Sequence, residues 1–202
     1  TRFANTCFFL KLHISCNNFK LRHICVFSIL KLMKSKKNLI LIGMMGSGKS
    51  TIGRLLAQKL NLKFLDIDFL IEKKTKMKIA EIFENKGEEI FRKLEKEITL
   101  KFLNKANCII SLGGGAFIDE TIKKEVQKKG ITIWLNWNSQ TLINRIKKNK
   151  KRPVVINLND NELKNLILSR SKIYSKAKYK IDCENMNKIE IVEKIKQIYE
   201  PI

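Results

Sequence analysis

Gly43, Gly48, Lys49 and Ser50 stand at the spacing G-x-x-x-x-G-K-[ST], with Gly46 and Ser47 inside the loop and Thr51 after it. Residue types in this order suit one chemistry, the holding of a chain of phosphates. The glycines let successive backbone N–H groups turn inward around phosphate oxygens, and a helix starting there adds the positive end of its dipole. Lys49 would reach the β- and γ-phosphates, and the Ser50 hydroxyl would ligate Mg²⁺. Such a loop must be carried between a buried strand and a helix. The apolar run at 38–42 has the character of that strand, and Ile52, Leu55, Leu56 and Leu60 recur at helical spacing behind the loop. A plain glycine turn is the alternative, and the full motif in its full context stands against it. A nucleoside triphosphate is the expected ligand.

Further along, 63–68 is a short apolar run ending in Asp66 and Asp68. Residues i and i+2 of an extended segment face the same way, so the two acids could serve one site. The alternative is that Asp68 caps the helix that follows. Arg92 lies within reach of Glu88 and Glu95 on one helix face, which by itself describes a surface ion pair. Gly113, Gly114 and Gly115 follow a second buried-strand candidate at 107–112; they permit close backbone approach to a ligand and leave N–H donors free, or they form a flexible turn. The segment 147–153 is densely basic and ends in Arg152 and Pro153, so it is either a solvated loop or a lid over phosphates.

The elements that must position these groups alternate between strand and helix. A short helix is expected at 78–85, then a longer one opening at Gly87 with Ile90, Leu94, Ile98 and Phe102 as its inward stripe. A helix at 119–129, a strand at 131–135 with Trp134 in the core, and a helix capped by Ser139 follow. A helix at 161–176, a strand at 179–182 and a helix striped by Ile189, Val192, Ile195 and Ile198 close the chain. With 202 residues the chain fits one domain with a sizeable core. No apolar run approaches the ~20 residues of a membrane span. Its formal charge of +22 comes from 41 Lys+Arg against 19 Asp+Glu. The lysines are scattered through every segment and no recognition motif accompanies them, so a nucleic-acid partner is not expected. The field would still draw in anionic ligands such as ATP.

Residues 1–32 differ from the rest. They contain no Asp or Glu but hold three of the five cysteines and both histidines. The Cys and His spacings match no standard zinc pattern. An acid-free, basic and apolar leader suits an organelle transit peptide. The other reading, which we favour, takes Met33 as the natural start and 1–32 as upstream translated sequence outside the core. The working domain is then 33–202. Cys108 and Cys183 read as isolated thiols of a reducing compartment.

Together these segments resemble the shikimate kinase family, small relatives of the nucleoside-monophosphate kinases. The resemblance rests on 43–51, Asp66-Ile67-Asp68, the run from Gly87 to Arg92, Gly113 to Ala116, Arg152-Pro153, and Arg170 with Tyr174, in the family's order and spacing. It implies a three-layer α/β P-loop kinase fold, with a five-stranded parallel sheet flanked by helices and a mobile lid. It also implies transfer of phosphate from ATP to the 3-hydroxyl of shikimate with Mg²⁺, by a cytoplasmic monomer. By the same resemblance Asp68 grips the acceptor hydroxyl and takes its proton, while Asp66 contacts the Mg²⁺ waters. Arg92 and Arg170 clamp the shikimate carboxylate together with N–H groups of Gly113–Gly115. Arg152 meets the phosphates, and Arg145 packs against adenine. One departure is visible: many relatives carry an arginine just after the position of Asp182, and Cys183 to Asn187 contain none. Adenine contacts from that segment are therefore not carried over. A kinase of another hydroxylated acid such as gluconate, a silent relative used for binding, and a nucleic-acid-binding P-loop protein are the rival readings. The first lacks this acid pair, triple glycine and arginine set. The second would be expected to have lost Lys49, Asp68 or Arg92.

Overall fold

The structure, a computed structural model, describes residues 37–148 and 158–200. The expectations for 1–32, for Arg152 and for a lid lie outside the described residues. Within them, β1 (Asn38–Ile42) leads through the glycine loop to α1 (Lys49–Leu60), followed by β2 (Lys63–Asp66) and α2 (Ile67–Thr75). Next come α3 (Ile79–Leu103), β3 (Cys108–Ser111), α4 (Glu120–Lys129), β4 (Gly130–Asn136) and α5 (Ser139–Lys148). The chain continues through α6 (Asp160–Tyr174), β5 (Tyr179–Asp182) and α7 (Lys188–Tyr199). All four strand pairings are parallel, in the order β2-β3-β1-β4-β5.

Alternation along β1 explains the layers. Leu39 and Leu41 point into one apolar core with Ile52, Leu56, Ile191 and Ile195, so α1 and α7 cover that face. Ile40 and Ile42 point into the other core, with residues of α2, α3, α4, α5 and α6. Successive side chains of a strand face opposite sides, so a strand apolar throughout must lie between two helical layers. The expected five-stranded parallel sheet flanked by helices is what the chain forms.

Several local expectations are corrected. β2 stops at Asp66, and Asp68 lies in the first turn of α2, so the two acids do not share one extended segment. The cap of α2 is Asp66, which accepts from the Phe69 N–H, and not Asp68. Likewise Asn138, not Ser139, caps α5 by accepting from the Thr141 N–H at 2.8 Å. The expected break at Gly87 is present, with φ 79° and ψ 168° inside α3. The inward stripe after it is rotated from the expected one: Phe91, Glu95, Ile98, Thr99 and Leu103 are buried, whereas Ile90 is 40% exposed. A carboxylate among the inward positions hides that face from any apolar count. Cys108 and Cys183 are both buried free thiols, and burial pushes Cys183 up to about 12.

Candidate active site

The segments that follow β1, β2, β3 and β4 leave their strands at the C-terminal ends, where open parallel sheets collect ligands, while Arg92 and Arg170 come from within α3 and α6. The loop after the central strand β1 delivers α1 with Gly48 at its N-cap, in the left-handed region at φ 87°, and without a side-chain cap or a first-turn acid. By contrast α2, α4, α6 and α7 begin under the side chains of Asp66, Asp119, Asn159 and Asn187. An uncapped helix start leaves its first N–H groups to an outside acceptor. Lys49 folds back over the loop, donating from Nζ to the carbonyls of Gly43 at 2.8 Å and Met44 at 3.0 Å. Ser50 Oγ donates to Asp66 Oδ2 at 2.5 Å, so those two oxygens stand side by side at the loop.

Next to the loop is a small cavity of about 30 Å³ lined by Asp68, Arg92, Gly114, Gly115 and Arg170, with Met45 of the loop in its wall. Four distant segments build it. Arg92 holds Glu88 through Nε at 3.1 Å and Nη2 at 2.9 Å, and Glu95 through Nη1 at 2.7 Å. Burial opposes its charge, but the Glu95 and Glu88 carboxylates prevail and its pKa rises. Arg170 is 6% exposed and donates from Nη1 to the Gly114 carbonyl at 3.4 Å, which Tyr174 Oη also reaches. Burial lifts the Tyr174 phenol to about 12, so it stays a donor. Gly113 backs onto the Glu95 and Asp68 carboxylates and Gly115 onto the Arg92 guanidinium, each so closely that a Cβ would collide. Phe83 and Phe91, with ring centroids 4.6 Å apart across the break at Gly87, add apolar wall.

A second, larger cleft of about 700 Å³ opens on the other side of the loop, lined by Ser47, Gly48, Thr51, Trp137, Arg145 and the start of α7. Arg145 lies over the Trp137 ring, 3.7 Å from its centroid. The segment without an arginine is instead stitched to α5: Glu184 accepts from the Asn138 N–H at 3.1 Å and the Thr141 hydroxyl at 2.5 Å.

Asp68, Arg92, Arg170 and the triple glycine thus meet in one place, while Gly46, Ser47, Gly48, Lys49, Ser50, Thr51 and Asp66 gather beside it. Two residues were missed. Glu95 is 2% exposed, its carboxyl raised first by burial, with Arg92 and Arg170 pulling it back and Asp68 pushing it further up. Its signal was an acid at a position that a helix only one step out of register would bury. Trp137 carried no motif at all.

A phosphate loop with a small charged cavity on one flank and a cleft wide enough for a nucleoside on the other is the arrangement of a P-loop kinase acting on a small molecule. The comparisons narrow the class. Residues 45–200 match the family model described as shikimate kinase. A shikimate kinase of Persephonella marina is 42% identical over 159 residues, covering 79% of this chain and 96% of its own. Among solved structures, a shikimate kinase from Acinetobacter baumannii in complex with shikimate superposes with TM-score 0.79 at 30% identity, over 85% of this chain and 97% of that one. The Aquifex aeolicus shikimate kinase does so with TM-score 0.72 at 38% identity, over 81% and 96%. The chain belongs to the shikimate kinase family.

Proposed function

We propose that the protein transfers the γ-phosphoryl group of ATP to the 3-hydroxyl of shikimate, giving shikimate 3-phosphate and ADP. The observation that carries this reading is the convergence of Asp68, Arg92 and Arg170 on one cavity whose wall includes Met45 of the phosphate loop. Two arginine forks beside backbone N–H groups fit a planar carboxylate, and the half-buried Asp68 fits a hydroxyl held nearby. On this reading Asp68 orients the hydroxyl and takes its proton as the new oxygen–phosphorus bond forms and the bond to ADP breaks. Lys49 leaves the Gly43 and Met44 carbonyls for the phosphates, and Arg145 packs against adenine. Arg152, outside the described residues, is assigned to the phosphates by the family resemblance alone.

Ser50 Oγ and Asp66 Oδ2 fit a hard divalent cation, being two oxygen donors side by side at the loop. Mg²⁺ bound there would neutralise charge on the phosphoryl oxygens. Transfer through a loose transition state leaves the protein positioning and electrostatic work, which this residue set is suited to perform. The same reading takes 33–202 as the working domain, monomeric and cytoplasmic, with no nucleic-acid partner. No helix among the described residues is long and apolar enough to cross a membrane.

The test is ADP release with Mg²⁺, measured with shikimate, with gluconate and with no acceptor. Release that depends on shikimate is expected. A rate indifferent to shikimate, or higher with gluconate, would sink the assignment.

A further inference from the structure

We infer that Trp137 is a positioning residue for the nucleotide, one side chain that fixes both the phosphate loop and the wall on which the base rests. The inference rests on the nucleotide reading of the larger cleft. Trp137 follows directly on the last residue of β4, at the ligand end of the sheet. Its indole Nε1–H donates to the Ser47 carbonyl at 3.0 Å, which ties down the loop between two of its glycines. Its ring carries the Arg145 guanidinium at 3.7 Å, and Arg145 Nη1 in turn lies 3.5 Å from the Gly46 carbonyl. A flexible arginine in a wide cleft would sample many rotamers; stacked on an indole it presents one flat face.

Both contacts come from one ring, so they can be separated by chemistry. Phenylalanine keeps an aromatic face and loses the donor, whereas leucine loses both. Trp137 also packs against both apolar cores, so a purely structural role must be distinguishable from a positioning one. Inorganic tripolyphosphate reads the loop alone, ATP reads loop and base wall together, and shikimate reads neither.

Calorimetry on the full chain with these three ligands, with a thermal midpoint for each variant, makes the test. Trp137→Phe should weaken ATP and tripolyphosphate alike, by about three- to tenfold, the scale of one hydrogen bond. Trp137→Leu should weaken ATP by a further factor of about three to ten, without a matching loss for tripolyphosphate. Should the leucine variant fail to fold, Trp137→Met offers a longer, more adaptable side chain of similar volume and still removes the ring. Shikimate affinity should stay within about twofold throughout, on the usual additivity of separated sites. Variants that bind ATP and tripolyphosphate like the unmodified protein would overturn the inference, and so would a parallel loss of shikimate affinity. Unmodified protein that binds no ATP would overturn the nucleotide reading itself, and Trp137's part with it.

Discussion

The two flanks of the phosphate loop are built by different means. On the phosphate side a contiguous run supplies nearly everything, and its polar groups bond to one another: Lys49 to two loop carbonyls, Ser50 to Asp66. On the acceptor side four distant segments contribute, three with side chains and one with glycine backbone, and among the described residues the buried Glu95 Oε1 and Arg170 Nε have no hydrogen-bond partner. Burying such a group unsatisfied costs about 1–3 kcal/mol, more when charged. The phosphate side is therefore a backbone shape that folds for local reasons. The acceptor side is a strained meeting of charges that a polar ligand would relieve. Changes on the first side should act locally, and changes on the second should act through their neighbours.

The largest effect expected is at the junction of the two sides. Asp68→Asn keeps size and hydrogen bonding but removes the charge that takes the proton. General-base contributions run to ~10²–10⁴-fold, so kcat should fall on that scale while ATP affinity holds. Turnover near that of the unmodified protein would leave Asp68 as a helix first-turn acid only. Next come Arg92→Lys and Arg170→Lys, which keep charge and lose the planar fork. A hydrogen bond to a charged group contributes about 1.5–3 kcal/mol, so each should lower shikimate kcat/KM by roughly ten- to a hundredfold or more. Shikimate methyl ester should be a poor substrate for the unmodified protein and suffer little further loss in either variant. An ester that reacts as well as the acid would remove the carboxylate clamp.

The same contrast governs what could be read from the sequence. The phosphate side was legible because its function sits in consecutive letters with a strand before and a helix after. The break at Gly87 was legible because an ordinary side chain resists φ 79°. Caps slipped by one or two residues, Asp66 for Asp68 and Asn138 for Ser139, because Asp, Asn and Ser are all good caps and only the exact start of the helix decides between them. On the acceptor side Arg92 looked like a surface ion pair, and its companion Glu95 broke the apolar stripe that would have marked the buried face. Only the resemblance to a family gathered Asp68, Arg92 and Arg170 into one place; spacing alone does not fold α2, α3 and α6 together.

A matched pair of glycine substitutions sharpens the comparison further. Gly48 has φ 87° and open space where a Cβ would go, so Gly48→Ala adds backbone strain alone. That strain is about 1–2 kcal/mol; the empty loop relaxes to escape it and ATP binding must restore it, so ATP KM should rise by up to roughly five- to thirtyfold with shikimate affinity unchanged. Gly115→Ala instead drives a methyl into the Arg92 guanidinium. The arginine must move, so shikimate affinity should fall by about tenfold, the worth of one charged hydrogen bond, with ATP affinity unchanged. If either substitution weakens both ligands equally, the two sides are not independent.

The smallest effect expected is a trend with pH, and it isolates the charge cluster from everything else. Glu95 faces Arg92, Asp68 and Arg170, and its carboxyl is raised above the ordinary value chiefly by burial. The folded chain therefore holds that proton more tightly than the unfolded chain, where the pKa is about 4.3. Stability from the proton is fully present below about pH 4.3 and is lost as pH rises through the folded value. Glu95→Gln carries no such proton and escapes that loss. Its thermal midpoint minus that of the unmodified protein should accordingly become more positive between pH 4 and pH 7, by about 2–4 °C for each kcal/mol involved. The lost contact to Arg92 adds an offset, so the slope and not the sign of the difference carries the prediction. Acids lowered by surface lysines, such as Glu97 and Glu125, titrate alike in both proteins and cancel. A difference that shrinks with rising pH would mean that Arg92 and Arg170 hold Glu95 ionised more strongly than burial opposes it, and the acceptor side would then be a satisfied ion-pair network, no more strained than the phosphate side.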